Sequence, residues 1–219
     1  MVDIYWAGQA MFRLKGKNVS VVIDPFDPEF VGLKFPKDWQ ADVVLSSHGH
    51  QDHNNTSGIS SVSESRPMVF SDPGEYEVGG VVISAIASFH DNNQGAQRGS
   101  NIIFHLNLDG LNIVHLGDLG QSDLSEAQIA QIGEVDILLV PVGGTYTIDG
   151  KAASEIVAQL EPKIIVPMHF FLEGLKFELE SVDKFLKEMG AEGVIPIPKL
   201  SISKEKLPEE PQVVVLSKS

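Results

Sequence analysis

A chain of 219 residues with 30 acidic and 16 basic side chains carries a net charge of −14; with no Lys/Arg cluster to offset that field, nucleic acid is disfavoured as a partner. It has no cysteine, which removes disulfides, thiolate zinc sites and thiol nucleophiles together and leaves any metal to nitrogen and oxygen ligands. An apolar content of 42% suits one domain, or two fused halves around a shared core, while no apolar run approaches the roughly 20 residues that cross a bilayer and the N-terminal stretch has no basic leader, so a cytoplasmic protein is expected.

The first half reads as short strands. Val2–Trp6, Met11–Leu14 and Val19–Ile23 are β-like runs separated by Gly8 and by the turn Gly16-Lys17-Asn18. Pro25 ends the third, because proline cannot continue a hydrogen-bonded ladder. Pro28 to Trp39 reads as a loop, and Val43–Ser46 as a buried strand. Met68–Phe70, Glu75–Val78 and Val81–Ala87 follow, with Gly79-Gly80 as a hairpin turn. Ile102–Leu108 and Leu111–Leu116 form a second hairpin around Asp109-Gly110.

Beyond that point strands and helices alternate. Asp123 is expected to cap a helix with Glu126 as its capping-box partner, and Gly133 to close it. Ile137–Val140 and Ile164–Val166 are buried strands. Between them, Ala152, Ile156, Val157 and Leu160 mark one face of a helix that Pro162 ends. Leu179, Val182, Phe185, Leu186 and Met189 line a last helix stopped by Gly190, Lys204 to Pro211 is a solvated loop, and Val213–Leu216 closes a sheet. The layout predicts two sheets packed together with helices outside.

The chemistry concentrates just past strand ends. Three of the seven histidines and an aspartate fall in 48-HGHQDH-53, directly after Val43–Ser46. His90 follows Val81–Ala87, Asp118 follows Leu111–Leu116, and His169 follows Ile164–Val166. On extended backbone His48 and His50, two apart, turn to one side, and His53 reaches a second position after a bend. Imidazole and carboxylate suit zinc, and also manganese or iron. Two such ions about 3.5–4 Å apart share a water, lower its pKa and polarise a carbonyl or phosphoryl oxygen, so no serine or cysteine nucleophile is needed. His105, inside the strand Ile102–Leu108, reads as a packed or surface residue, and His115 as support for Asp118.

HGHQDH, with His90, Asp118 and His169 in order, resembles the metallo-β-lactamase superfamily. LGDLG, PVGGTYT and IVPMH are similar to its small zinc-dependent hydrolases, the ascorbate-phosphate lactonase-like and phospholipase-D-like branch. The resemblance implies an α/β fold for residues 1–219 as one domain: a four-layer αββα sandwich of two mixed sheets with helices on the outer faces and the site at one edge. It implies two divalent metals, zinc first. His48, His50 and His90 would hold one, Asp52, His53 and His169 the other, and Asp118 would bridge. Asp52 would also orient the nucleophilic water, and Asp24 would support the histidine loop. It places Tyr146 or Thr147 near a small-molecule ester, lactone or phosphodiester substrate. A non-catalytic metal-binding protein and a nuclease are the alternatives, and a homo-oligomer stays open. Two positions depart from the pattern: Gln9 and Gln121 stand where related sequences often have histidine.

Overall fold

Period-two alternation in the early strands sorts their side chains between two apolar clusters, and this sets the layering. The computed structural model describes residues 1–63 and 65–219. In chain order its strands are β1 (Val2–Gly8), β2 (Met11–Lys15), β3 (Ser20–Ile23), β4 (Gln40–Ala41), β5 (Val43–Leu45), β6 (Ser60–Ser61), β7 (Met68–Phe70), β8 (Gly74–Val78), β9 (Val81–Phe89), β10 (Ser100–Leu108), β11 (Leu111–His115), β12 (Ile137–Pro141), β13 (Ile164–Met168), β14 (Leu200–Ile202) and β15 (Gln212–Val213). The helices are α1 (Pro28–Val31), α2 (Glu126–Ile132), α3 (Gly150–Leu160) and α4 (Val182–Glu188).

One sheet has six strands in the order β14-β1-β2-β3-β5-β7 and the other seven in the order β15-β13-β12-β11-β10-β9-β8; β4 and β6 pair separately. Both are mixed. In the six-stranded sheet β3, β5 and β7 are parallel and the remaining pairs antiparallel. Ile4, Trp6, Phe12, Leu14, Val21, Ile23, Val43 and Leu45 point inward and join one core with the seven-stranded sheet. Their neighbours Ala7, Met11, Val22 and Val44 face the other way and pack with Phe26, Val31, Leu33 and Trp39. That outer layer is thin: α1 and the segment down to Trp39 provide it. Strands β12 and β13 are buried along their whole length, as parallel strands covered on both faces must be, and α3 and α4 supply Ala153, Ile156, Leu160, Phe185 and Leu186 to the same core. This is the αββα sandwich. Among the described residues no helix is long and apolar enough to cross a membrane.

Both expected hairpins form. Asp109 and Gly110 have φ 50° and 81°, and Gly79 and Gly80 have φ 59° and 86°, the left-handed pairs that match strand twist in two-residue turns. The helix starts differ from expectation. Ser125, not Asp123, caps α2: its hydroxyl accepts the Gln128 N–H while the Gln128 side chain accepts the Ser125 N–H. The sequence Ser125-Glu-Ala-Gln128 is itself a capping box, and Asp123 instead accepts from Ser122 and Gln159. The loop expected from Pro28 opens with α1, capped by Asp27, whose carboxylate accepts from the Glu29 and Phe30 N–H groups. Leu179 lies before α4 rather than in it. Strand β14 gave no sequence signal beyond three residues, and β15 is cut to Gln212–Val213, with Leu216 making only an isolated bridge to Ile197.

Topology now places the site. Strands β9 and β11 both run antiparallel to β10, and β11, β12 and β13 are mutually parallel. Their C-terminal ends therefore emerge at one edge, where open α/β sheets gather functional groups.

Candidate metal centre

The histidine loop leaves β5 and is fastened to the end of β3. Asp24, fully buried with φ 49°, accepts the Ser47 N–H (2.7 Å), the Ser47 hydroxyl (2.7 Å) and the His53 Nδ1–H (2.9 Å). With its proton given to Asp24, Ser47 Oγ accepts from His48 Nδ1 at 3.0 Å. Ser46 Oγ donates to the carbonyls of His48 and His53, and Asn54 donates to the Gly49 carbonyl. These bonds fix tautomers as well as backbone. With Nδ1 of His48 and His53 engaged as donors, each ring directs the lone pair of Nε2 inward.

The other three strand ends close on the same point. His90 follows β9. Asp118 follows β11 through Gly117, whose φ is 56° and whose Cβ, if present, would lie 2.3 Å from Asn101 Oδ1, so only glycine fits. Buried Asn101 accepts the Asp118 N–H (2.9 Å) and donates to the Leu116 carbonyl and to Ser88. His115, also buried, donates from Nε2 to the Ala10 carbonyl and accepts the Gly117 N–H at Nδ1. That pattern requires a neutral ring, and burial pushes its pKa down accordingly. His169 follows β13 with φ 52°. Its backbone N–H donates to the Gln9 carbonyl, and its Nε2 lies 3.3 Å from the Gln9 amide nitrogen.

The seven predicted ligands separate into two groups, His48/His50/His90 and Asp52/His53/Asp118/His169, each able to offer ligand atoms within 4.8 Å of one another. Ring centroids lie 4.7 Å apart for His48–His90 and 5.2 Å for His50–His90. Asp118 Oδ2 stands between the groups: 3.1 Å from His53 Nε2, 3.4 Å from His169 Nε2 and 3.4 Å from His90 Nε2. Asp52 Oδ2 approaches His53 Nε2 at 3.4 Å and His169 Nε2 at 4.0 Å.

A cation fits this donor set. His48 Nε2, His53 Nε2 and Asp118 Oδ1 are buried with no hydrogen-bond partner, an expensive condition for polar atoms unless a ligand takes them up. Burial would raise the Asp118 and Asp52 carboxyls, but the surrounding imidazoles hold both far below the usual carboxylate range. Burial, reinforced by the charge of His53, drives the His48 imidazole down to about 3, which keeps a lone pair available. His53 goes the other way: Asp118, Asp52 and Asp24 overcome its burial and raise it. The negative charge those carboxylates gather is what a metal cation would neutralise there.

A cavity of about 430 Å³ opens over the cluster, lined by Asp52, His50, His90 and Asp118 together with Arg98, Tyr146, Phe177 and Phe30. Tyr146 is at the cavity, as expected. Thr147 is not among its lining residues and its hydroxyl donates to the Ile148 carbonyl. Gln9 sits beside His169, whereas Gln121 lies outside the cluster and joins the β9 terminus to α2: its carbonyl accepts the Phe89 N–H and its amide donates to Gln128. Sequence reasoning missed Ser47, Asn101, Arg98 and Phe177. Ser47 and Asn101 act through hydrogen bonds to Asp24, His48, Ser88 and the backbone of Asp118, which no spacing announces. Arg98 had a weak signal, as a lone cation in a Gly-rich loop after His90.

Comparison with known proteins bears on the family of the chain. Residues 3–169 match the model of the β-lactamase superfamily domain. The chain is similar to a UPF0173 metal-dependent hydrolase from Thermoplasma acidophilum, 33% identical over 77% of this chain and 83% of that one. Another UPF0173 metal-dependent hydrolase, from Pyrococcus abyssi, is 30% identical over 78% and 85%. Among solved structures, a proposed Zn-dependent hydrolase of the metallo-β-lactamase superfamily from Thermotoga maritima aligns with a TM-score of 0.77 at 38% identity, covering 99% of this chain and 98% of that one.

Proposed function

The chain belongs to the metallo-β-lactamase superfamily, and from that premise we propose that it is a binuclear metal-dependent hydrolase of a small ester, lactone or phosphodiester. One observation carries the reading: a single buried carboxylate oxygen, Asp118 Oδ2, lies within 3.4 Å of imidazole nitrogens from both ligand groups. The names of similar proteins support metal-dependent hydrolysis. In this proposal His48, His50 and His90 hold one cation, Asp52, His53 and His169 the other, and Asp118 serves both. Zinc comes first, with manganese and iron as alternatives for an all-nitrogen-and-oxygen set. Two cations there would supply Lewis acidity and a water of lowered pKa.

The residues of the chain do the rest. Asp24 holds the proton of His53 on Nδ1, and Ser47 accepts the one on His48 Nδ1, so both rings stay ligands. Asp52 turns Oδ2 toward His53 and His169 and lines the cavity, which leaves Oδ1 to accept a hydrogen bond from the attacking water and orient it. The small cavity admits a small molecule rather than a polymer. We further take residues 1–219 to act as one domain, since one apolar cluster joins inward residues of both sheets.

Metal analysis tests the proposal. Zinc-loaded protein should carry about two ions per chain, and Asp118→Ala about one or fewer, because the shared carboxylate serves both. Loaded protein should turn over at least one of bis(p-nitrophenyl) phosphate, p-nitrophenyl acetate and an acyl-homoserine lactone, and His50→Ala should abolish it. Folded protein that holds no zinc, or metal-loaded protein inert across the panel, overturns the function.

A further inference from the structure

Arg98 and the aromatic residues that share the cavity with the candidate ligands have their own organisation. Between β9 and β10 the chain makes a tight loop around Asp91, which is buried although Asn92, Asn93 and Gln94 after it are exposed. Its Oδ1 accepts the N–H groups of Asn93 (2.7 Å) and Gly95 (3.0 Å), and its Oδ2 those of Gln97 (2.9 Å) and Arg98 (2.7 Å). Four such bonds to one carboxylate, which hold its pKa down to about 2, fix the backbone of Arg98 in place. The guanidinium then lies over the Tyr146 ring, 5.3 Å from its centroid, and Nη1 donates to the Tyr146 carbonyl at 3.3 Å. From Tyr146 an aromatic shelf continues to Phe177 at 6.4 Å and on to Phe30 at 5.3 Å. Tyr146 and Phe30 remain 38% and 40% exposed, so the shelf is open.

Among the described residues Arg98 is the only fixed cation lining this cavity, and it takes part in no ion pair there. In a chain with nearly twice as many acidic as basic side chains, a guanidinium held at a cavity mouth and left without a carboxylate calls for a partner from outside. Its Nε–Nη2 edge makes no bond within the described residues and presents the parallel pair of donors that matches a planar carboxylate. A phosphate meets the same edge but brings further oxygens and charge, and among the described residues no second cation lines the cavity to meet them.

We propose that Arg98, stacked on Tyr146, is a specificity-determining subsite for a carboxylate carried by the substrate, whose apolar body lies on the Tyr146–Phe177–Phe30 shelf. Resting on the hydrolase reading, this narrows the substrate to one that bears a carboxylate separate from the bond that is cleaved. Binding at the subsite does not itself require turnover.

The test is therefore a binding measurement on zinc-free, full-length protein with a matched pair of inert probes, 4-phenylbutyrate and its neutral amide, by isothermal titration calorimetry. The native chain should bind the carboxylate about tenfold more tightly than the amide, the scale of one charge-assisted donor pair at a partly exposed site. Arg98→Met keeps bulk against the tyrosine ring and should bring the two probes to equal affinity. Arg98→Lys keeps a charge without the paired edge and should retain only about a threefold preference. Native protein without a preference, or either variant with the native preference intact, overturns the assignment, as does an equal loss for both probes in Arg98→Met, which would make the residue merely a brace for the Tyr146 loop. Failure of the hydrolase reading would show in the metal and turnover measurements and leave these affinities untouched.

Discussion

Replacing Asp24 by Asn changes almost no volume and yet removes the acceptor on which the histidine loop depends. The carboxylate takes three protons, from Ser47 N, Ser47 Oγ and His53 Nδ1, at 2.7, 2.7 and 2.9 Å. An amide accepts through one oxygen only. If that oxygen keeps the Ser47 N–H, the amide N–H groups face Ser47 Oγ and His53 Nδ1. The serine hydroxyl rotates and accepts, but the imidazole accepts only as the other tautomer, with its proton on Nε2. That proton then sits on the nitrogen that faces Asp118 at 3.1 Å, and His53 is lost as a ligand. All three buried charge-assisted bonds become neutral ones, a cost of about 3 kcal/mol, or roughly 6–12 °C in Tm for a chain of this size. The effect on zinc should be larger in relative terms: affinity at the Asp52/His53/His169 group should fall about 10–100-fold, the usual penalty for disturbing an orienting carboxylate. Thermal melts of the zinc-free variant read the first number, and zinc titration against a competing chelator reads the second. An Asp24→Asn protein that binds both ions with native affinity would refute the tautomer argument, even if it were less stable.

Two further expectations bear on the fold. Gly117→Ala puts a methyl 2.3 Å from Asn101 Oδ1 and 2.8 Å from Ser47 Cβ, on backbone of φ 56°; it should destabilise by at least about 2 kcal/mol and lower zinc content, whereas Gly110→Ala, with nothing within 4 Å, should cost only the φ strain. Lys204 donates to both oxygens of buried Asp136 at 2.9 Å and to Glu134 at 3.0 Å, and the bond to Asp136 leads in raising its pKa above the ordinary 10.5. A raised lysine stabilises the folded chain fully below that value and loses its contribution as pH climbs through the raised one, so the stability deficit of Lys204→Met, about 0.5–1 kcal/mol for a pair 41% exposed on the lysine side, should be constant from pH 7 to 9 and shrink above 10.5. A deficit that grows with alkalinity would contradict it.

Legibility from sequence followed the range of the forces involved. Val43-Val44-Leu45, Ile137–Pro141 and Ile164–Met168 announce themselves because burial on both faces demands uninterrupted apolar runs. The positions just beyond them could be searched for ligand chemistry, and the structure brings His48, His50, Asp52, His53, His90, Asp118 and His169 into two adjoining groups. Where two local signals compete, sequence does not arbitrate. Asp123 and Ser125 are both good caps, and the choice turned on the reciprocal bond from Gln128 and on Asp123 finding Gln159 on α3. Strand β14 exists because β1 offers it an edge, a tertiary fact with no local trace. The resemblance pointed to Tyr146 or Thr147 without choosing; Tyr146 lines the cavity, while the Thr147 hydroxyl bonds the neighbouring Ile148 carbonyl.

Burial of the acidic groups argues that the centre is built for cations rather than merely tolerant of them. Asp24 and Asp118 are essentially inaccessible and the Asp52 side chain is only 15% exposed. Each ionised carboxylate withdrawn from water costs several kcal/mol unless matched by opposite charge. The available matches in the chain are imidazoles, and they divide. His53 and His169 are pushed toward protonation by the same carboxylates, while His48, His90 and His115 are pushed away from it by burial. A purely structural cluster would be relieved by swapping a carboxylate for an amide or a histidine for a leucine of similar size. The arrangement instead keeps orphaned nitrogens at His48 and His53 and an orphaned oxygen at Asp118, all turned inward. The pair of divalent ions proposed above would satisfy those atoms, neutralise the carboxylates and let every imidazole stay neutral at once. No rearrangement of the protein's own hydrogen bonds achieves all three.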